Sequence, residues 1–245
     1  MSSEKEQKIG RKEAARLLDE IYAKAIQGIP LVSKSIDEVA SDYLAKNDNP
    51  SKAAKSLIKY QMAKCGTSGF LTGLGGIITL PVAVPANVGS VLYVQMRMIA
   101  AVAKIGGFDV ESDQVQTLVY ACMTGSAAAD ILKQTGIKVG TKMTEAAIAK
   151  IPGKILVSIN QKVGFRLITK FGEKGAINLV KMVPIAGGLI GATVDLASTK
   201  VIASNAYKLF IKKEMLTKED KRRKKAKSDN IVDEDINFVV EESDF

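Results

Sequence analysis

The chain of 245 residues has no histidine, no tryptophan and only two cysteines. The missing histidine excludes most. Without it there is no Ser-His-Asp or Cys-His nucleophilic site, no imidazole base and no histidine-ligated metal. Carboxylates and lysines can still do acid–base work, yet the balance moves away from an enzyme, and no cofactor motif takes histidine's place. Aromatic residues make up 5% of the chain against 47% hydrophobic, so Ala, Ile, Val, Leu and Gly must build the core. Such a core suits closely spaced helices. Cys65 and Cys122 stand alone, and Met1–Gly10 is polar rather than leader-like. A reducing cytoplasmic setting with two free thiols is expected.

Charge is missing altogether from the 32 residues Cys65–Met96. That length suggests a membrane helix, which needs about 20 apolar residues. The punctuation argues otherwise. Pro81 and Pro85 cut the run in two, and Gly69, Gly73, Gly75 and Gly76 remove side-chain bulk so that another helix can approach closely. Gly66–Leu80 is roughly 22 Å long as a helix, short of a hydrocarbon core of about 30 Å. The part after Pro85 runs into Arg97, which costs about 2.5–3.5 kcal/mol at the centre of a spanning helix. The expectation is a kinked hairpin buried in a helical bundle, not a resting span.

A second uncharged run, Met182–Val194, contains Gly187, Gly188 and Gly191 and leads through Asp195 into a helix ending near Lys212. The two glycine-rich segments are natural packing partners. Arg97, Asp130, Asp195 and Lys200 each sit in apolar helical surroundings, where an unpaired charge is costly. A structural ion pair between Arg97 and Asp195 is the favoured reading, and a polar pocket the alternative.

Period-two alternation is absent, and apolar residues recur at threes and fours. The fold expected is therefore all-α: a single bundle with amphipathic helices over residues 1–50, a core over 51–211 and a charged, disordered tail over 212–245. One helix covers Arg11–Gln27 and stops at Gly28 and Pro30. Ser35 caps the next, and Asn47-Asp48-Asn49-Pro50 ends it; Ser51 is expected to cap the third. Asp109 or Ser112 caps the helix after Gly107. The acids at 109, 111 and 113 resemble the start of a calcium loop, but Gln114 stands where that loop needs glycine and Tyr120 where it needs glutamate. Gly69–Gly76 lacks the lysine of a phosphate-cradling loop. No metal or cofactor site is expected.

Charge elsewhere is one-sided. Lysine and arginine number 35 against 26 acids, a net +9. Lys138, Lys142, Lys150, Lys154, Lys162, Arg166, Lys170 and Lys174 are separated by four or eight residues. On two helices divided by Pro152-Gly153 they form slowly winding basic stripes. These are either a solvated face or one awaiting phosphates, and an anionic membrane surface would gain about 1 kcal/mol from each. Nucleic acid is disfavoured, because aromatics for stacking are few. Lys212–Lys227 holds nine basic and three acidic residues, and Ser228–Phe245 holds seven acidic and no basic ones.

Gly69-Phe70-Leu71-Thr72-Gly73-Leu74-Gly75-Gly76, Leu80-Pro81 with Pro85, the helix carrying Arg97, and Gly107-Phe108-Asp109 together resemble the EcsC protein family. The resemblance resumes at Pro184–Ala192 and runs from Asp195 through Ala206, covering roughly Ala53–Phe210. Between the prolines, where the family commonly has a polar or acidic residue, this chain has Val82-Ala83-Val84. The resemblance implies a bacterial protein named for a gene beside those of an ABC transporter, and it brings no catalytic residue. It points to a non-enzymatic accessory protein peripheral to the inner membrane on its cytoplasmic side, with a transporter or other membrane complex as candidate partner. The reading from another class is a soluble helical protein with a carboxylate-based hydrolytic or ligand-binding pocket. The oligomeric state is not set by the sequence.

Overall fold

A computed structural model describes residues 15, 16, 18–65, 86–125, 128–137, 143–171 and 198–214. All the extended elements among them are helices, as expected; the one β-bridge pairs Ile29 with Ser33. In chain order they are α1 (18–27), α2 (Ile36–Ala45), α3 (Pro50–Cys65), α4 (Ala86–Ile105), α5 (Asp113–Met123), α6 (Ala128–Gln134), α7 (Glu145–Ala149), α8 (Gly153–Phe171) and α9 (198–211), whose last turn Tyr207–Ile211 is a π-helix.

Helix α4 is the centre of the bundle, packing against α2, α3, α5 and α9. Every side chain from Leu92 through Ala103 is buried, including Gln95 and Arg97. A helix apolar all round belongs inside, since no face of it gains from water. Of the expected organising stretch, Leu92–Met96 lies inside protein. Gly66–Pro85 lies outside the described residues, as do Gly69, Gly73, Gly75, Gly76, Pro81 and Pro85.

Local chemistry sets the helix starts. Ser35 Oγ accepts from Glu38 N, and the Glu38 carboxylate accepts from Ser35 N, a complete capping box. Ser112 Oγ accepts from Val115 N and begins α5, while the Asp109 carboxylate accepts from Glu111 N in the preceding turn. Helix α3 differs from expectation. It begins at Pro50, and Asn49 Oδ1 accepts from Lys52 N at 2.9 Å. Proline suits the first helical position because it lacks only an N–H that would be unpaired there, so the cap moves back one residue. Ser51 instead hydrogen-bonds Tyr207 Oη at 2.6 Å, tying α3 to α9.

Contacts fix the helix directions. Tyr93 meets Ser33 and Gln95 meets Thr199, whereas Phe108 meets Phe210 in an edge-to-face pair. Helix α9 therefore runs parallel to α4. Ser51, at the start of α3, sits at the end of α9, so α3 runs the other way. Gln114 Nε2 reaches Ala149 O at 3.5 Å, which puts the start of α8 beside the start of α5. The bundle thus has an upper pole, where α4 begins and α3 and α8 end, while the described part of α9 starts level with the middle of α4, where Thr199 meets Gln95. At the lower pole a Cβ on Gly106 would lie 2.3 Å from Phe210 O, so glycine is what lets α9 close on the end of α4.

Candidate functional site

The end of α3, the start of α4 and the end of α8, which border the uncharged runs in sequence, lie at the upper pole. The uncharged run after Cys65 leaves α3 and enters α4 there. The second run lies, in sequence, between Phe171, the end of α8, and residue 198, where the described part of α9 starts level with the middle of α4.

Arg97 lies about three turns after the start of α4 and is 7% exposed, inside the layer between α1, α2 and α4. Its guanidinium donates to Ala25 O at 2.9 Å and to Lys34 O. These carbonyls belong to the last turn of α1 and to the residue before the α2 cap. Burial draws Arg97 below the ordinary arginine range, and the neighbouring Tyr93 and Glu38 offset part of that pull. The expected partner Asp195 lies outside the described residues. What the described residues supply is carbonyl oxygen, a role for which the rigid, five-donor guanidinium is suited.

Around Arg97 are two further polar links. Tyr93 Oη and Ser33 Oγ are 2.7 Å apart, joining α4 to the α1–α2 turn. Gln95 Nε2 donates to Thr199 Oγ1 at 3.1 Å, and both residues are buried. These residue pairs are separated by 60 to 104 positions in sequence. Asp130 and Lys200 are half-buried rather than enclosed.

The basic stripe divides. Lys150 and Lys154 are exposed near the lower pole, and Lys162, half-buried midway along α8, donates to Gln134 Oε1 at 3.3 Å. Arg166 and Lys170 fall on the last turns of α8 as it climbs to the upper pole, their side chains outside the description. Lys138, Lys142 and Lys174 lie outside the described residues, as do Gly187, Gly188 and Gly191. Helix α7 starts only at Glu145, because Thr144 Oγ1 accepts from Ala147 N at 3.2 Å. The single stripe expected through 142 and 150 is thereby broken, since Lys142 precedes that cap. The eight-fold register was visible in the sequence, but a five-residue helix gives no periodic signal.

Cys122 is buried, and burial pushes its thiol up. It is a core residue, as expected. Among the described residues no cluster of three or more cysteine and carboxylate side chains is placed to hold a metal. No helix of the described residues is long and apolar enough to cross a membrane.

No curated protein and no solved structure matches the chain. The EcsC protein family matches residues 35–213, from the cap of α2 to the residue after the last turn of α9 has closed. That span takes in the capping box, the buried α4 with Arg97, both uncharged runs and the whole of α8, and the chain belongs to the EcsC protein family.

Proposed function

We propose that this chain is a non-enzymatic accessory protein that docks on the cytoplasmic face of the inner membrane with its upper pole and serves a membrane complex such as a transporter. The observation carrying the reading is that the end of α3, the start of α4 and the end of α8, helix ends that border the uncharged runs in sequence, meet at that one pole. A pole bordered in sequence by uncharged runs, with basic residues climbing toward it along α8, suits a peripheral contact with anionic lipid. The buried polar groups argue for structure over chemistry. Arg97, Tyr93 and Gln95 are each spent on a hydrogen bond within the fold, and Cys122 is sealed in the core.

Vesicle flotation tests the reading. Binding should rise with the fraction of phosphatidylglycerol and fall with added salt, since exposed charges are screened over a Debye length of about 10 Å at 0.1 M. A chain that stays at the bottom of the gradient with every vesicle composition would overturn it.

A further inference from the structure

Helix α3 and residues 198–213, which are α9 and the two lysines after it, together carry eight lysines and no carboxylate. On α3, Ala53, Ala54, Leu57 and Ile58 are buried in the core, and the opposite side faces water. Lys52, Lys55 and Lys59 fall within about 60° of one another on that outer side, at spacings that make them neighbours. Lys55 Nζ lies 5.9 Å from the centre of the Tyr207 ring, and Ser51 bonds Tyr207 Oη. The stripe therefore borders the last turn of α9, where half-buried Lys208 and exposed Lys212 add charge of the same sign.

The face is not only charged. Tyr60, beside Lys59, is 50% exposed. Asp48 pairs with Lys52 at 2.6 Å, so a carboxylate from the loop before α3 already meets one end of the stripe. A partner for the whole face needs several carboxylates with an apolar patch between them. The chain carries such a segment: Asp233-Glu234-Asp235, then Ile236, Phe238, Val239 and Val240, then Glu241-Glu242. The nearer run Lys221–Lys225 offers it charge but no apolar residue. Distance is no obstacle. The end of α9 lies beside the start of α3, and Asp233 follows Glu214 by nineteen residues. A chain of that length spans up to about 60 Å, against about 24 Å for all of α3.

We infer that the outer face of α3, with the adjoining end of α9, binds the acidic segment Asp233–Glu242 of the same chain. Carboxylates meet the lysines, and the apolar side chains cover Tyr60 and the lysine stems. Exposed ion pairs are weak singly, but a tethered segment meets its site at high effective concentration. Bound there, the segment closes the face to other polyanions, and added salt releases it. The inference stands apart from the membrane reading, which concerns the other pole. The segment lies beyond the family match, which ends at residue 213.

A water-soluble carbodiimide joins an ammonium to a carboxylate only where the two touch, so it reads this contact in the full chain. At low salt, peptide mapping should find Lys52, Lys55 or Lys59 linked to carboxylates of residues 233–242 within one molecule. High salt should lower that yield several-fold. In a chain with Lys52→Glu and Lys59→Glu, both exposed positions, the link at Lys55 should be lost while the thermal midpoint stays within a few degrees. Adding Asp233→Lys and Asp235→Lys should restore linkage with the polarity reversed. The control Lys150→Glu, exposed at the end of α7, should leave the yield unchanged. Acidic-segment carboxylates linked only to Lys221–Lys225 would overturn the inference. So would a yield that rises with protein concentration, which would give the face to the segment of a second copy. A Lys55 link that survives the double charge reversal would overturn it as well.

Discussion

Gly28 and Leu31 lie three residues apart with φ of 79° and 64°, and substitution should move stability in opposite directions. A Cβ on Gly28 would meet Ser33 O at 2.5 Å and Lys34 O at 2.6 Å, both backbone atoms that cannot rotate away. Gly28→Ala should therefore cost about 2–4 kcal/mol, combining the left-handed backbone with overpacking. At Leu31 a glycine would relieve roughly 1–2 kcal/mol of backbone strain and return about 0.5–1 kcal/mol through a freer unfolded chain. The expected net is a gain of up to about 1 kcal/mol. Urea unfolding of the two variants reads both signs, and a Leu31→Gly protein less stable than the parent would refute the strain argument. Arg97 is the third test at this scale. Arg97→Met leaves the Ala25 and Lys34 carbonyls without their donor, at about 1–3 kcal/mol each if they stay dry. Arg97→Lys should rescue little, because one ammonium on a flexible stem does not reproduce a planar fork. Lysine restoring full stability would show that charge rather than geometry matters.

At the scale of the helices, the capping box of α2 joins two predictions. Ser35→Ala should cost about 1 kcal/mol. Glu38 is held below its ordinary 4.5 first by the Ser35 backbone hydrogen bond and then by the Ser35 hydroxyl. A depressed carboxylate contributes stability above its unfolded value and loses it as pH falls through the folded one. The unfolding midpoint should thus decline as pH drops below 4.5, with Asp42 and Asp48, lowered from 3.8 by hydrogen bonds from Lys34 and Lys52, adding to the slope. Glu38→Gln should flatten part of that slope; an unchanged slope would remove the box from the account. Ser35, Ser112 and the stop at Gly28 were all legible in the sequence, because a cap is decided by residues within four positions. The start of α3 was misplaced by the same kind of local competition, Asn49 before a proline winning over Ser51. The short α7 gave no period to read. The partners of Arg97 were beyond reach for another reason: they are backbone carbonyls, and every residue has one. The exposure of Leu31 was hidden too, since an apolar residue beside a proline reads as core until its neighbours are known.

At the scale of the whole molecule, the described bundle closes at the lower pole. Met143 N donates to Lys213 O at 2.6 Å, and Glu214 N to Lys208 O at 2.8 Å. The Lys213 ammonium lies 5.7 Å from the centre of the Phe108 ring, which itself stacks edge-on against Phe210. Phe108 and Phe210 are among the largest fully buried side chains. A chain cut after Glu214 keeps every one of these contacts. It should unfold at the same temperature as the full chain, within a few degrees. A chain cut before Tyr207 removes Leu209 and Phe210 from the core and should lose about 3–5 kcal/mol for the phenylalanine alone, enough to unfold a domain stable by 5–15 kcal/mol once leucine is added. The first cut also separates two sources of membrane binding. It discards seven basic and nine acidic residues, so the net charge rises from +9 to +11. If the upper pole docks, residues 1–214 should float with anionic vesicles at least as well as the full chain. If the basic run Lys221–Lys225 is the anchor instead, flotation should collapse although the core remains folded. Circular dichroism and flotation on the same sample distinguish the two, because a folded core that no longer floats assigns the membrane contact to the tail and not to the bundle.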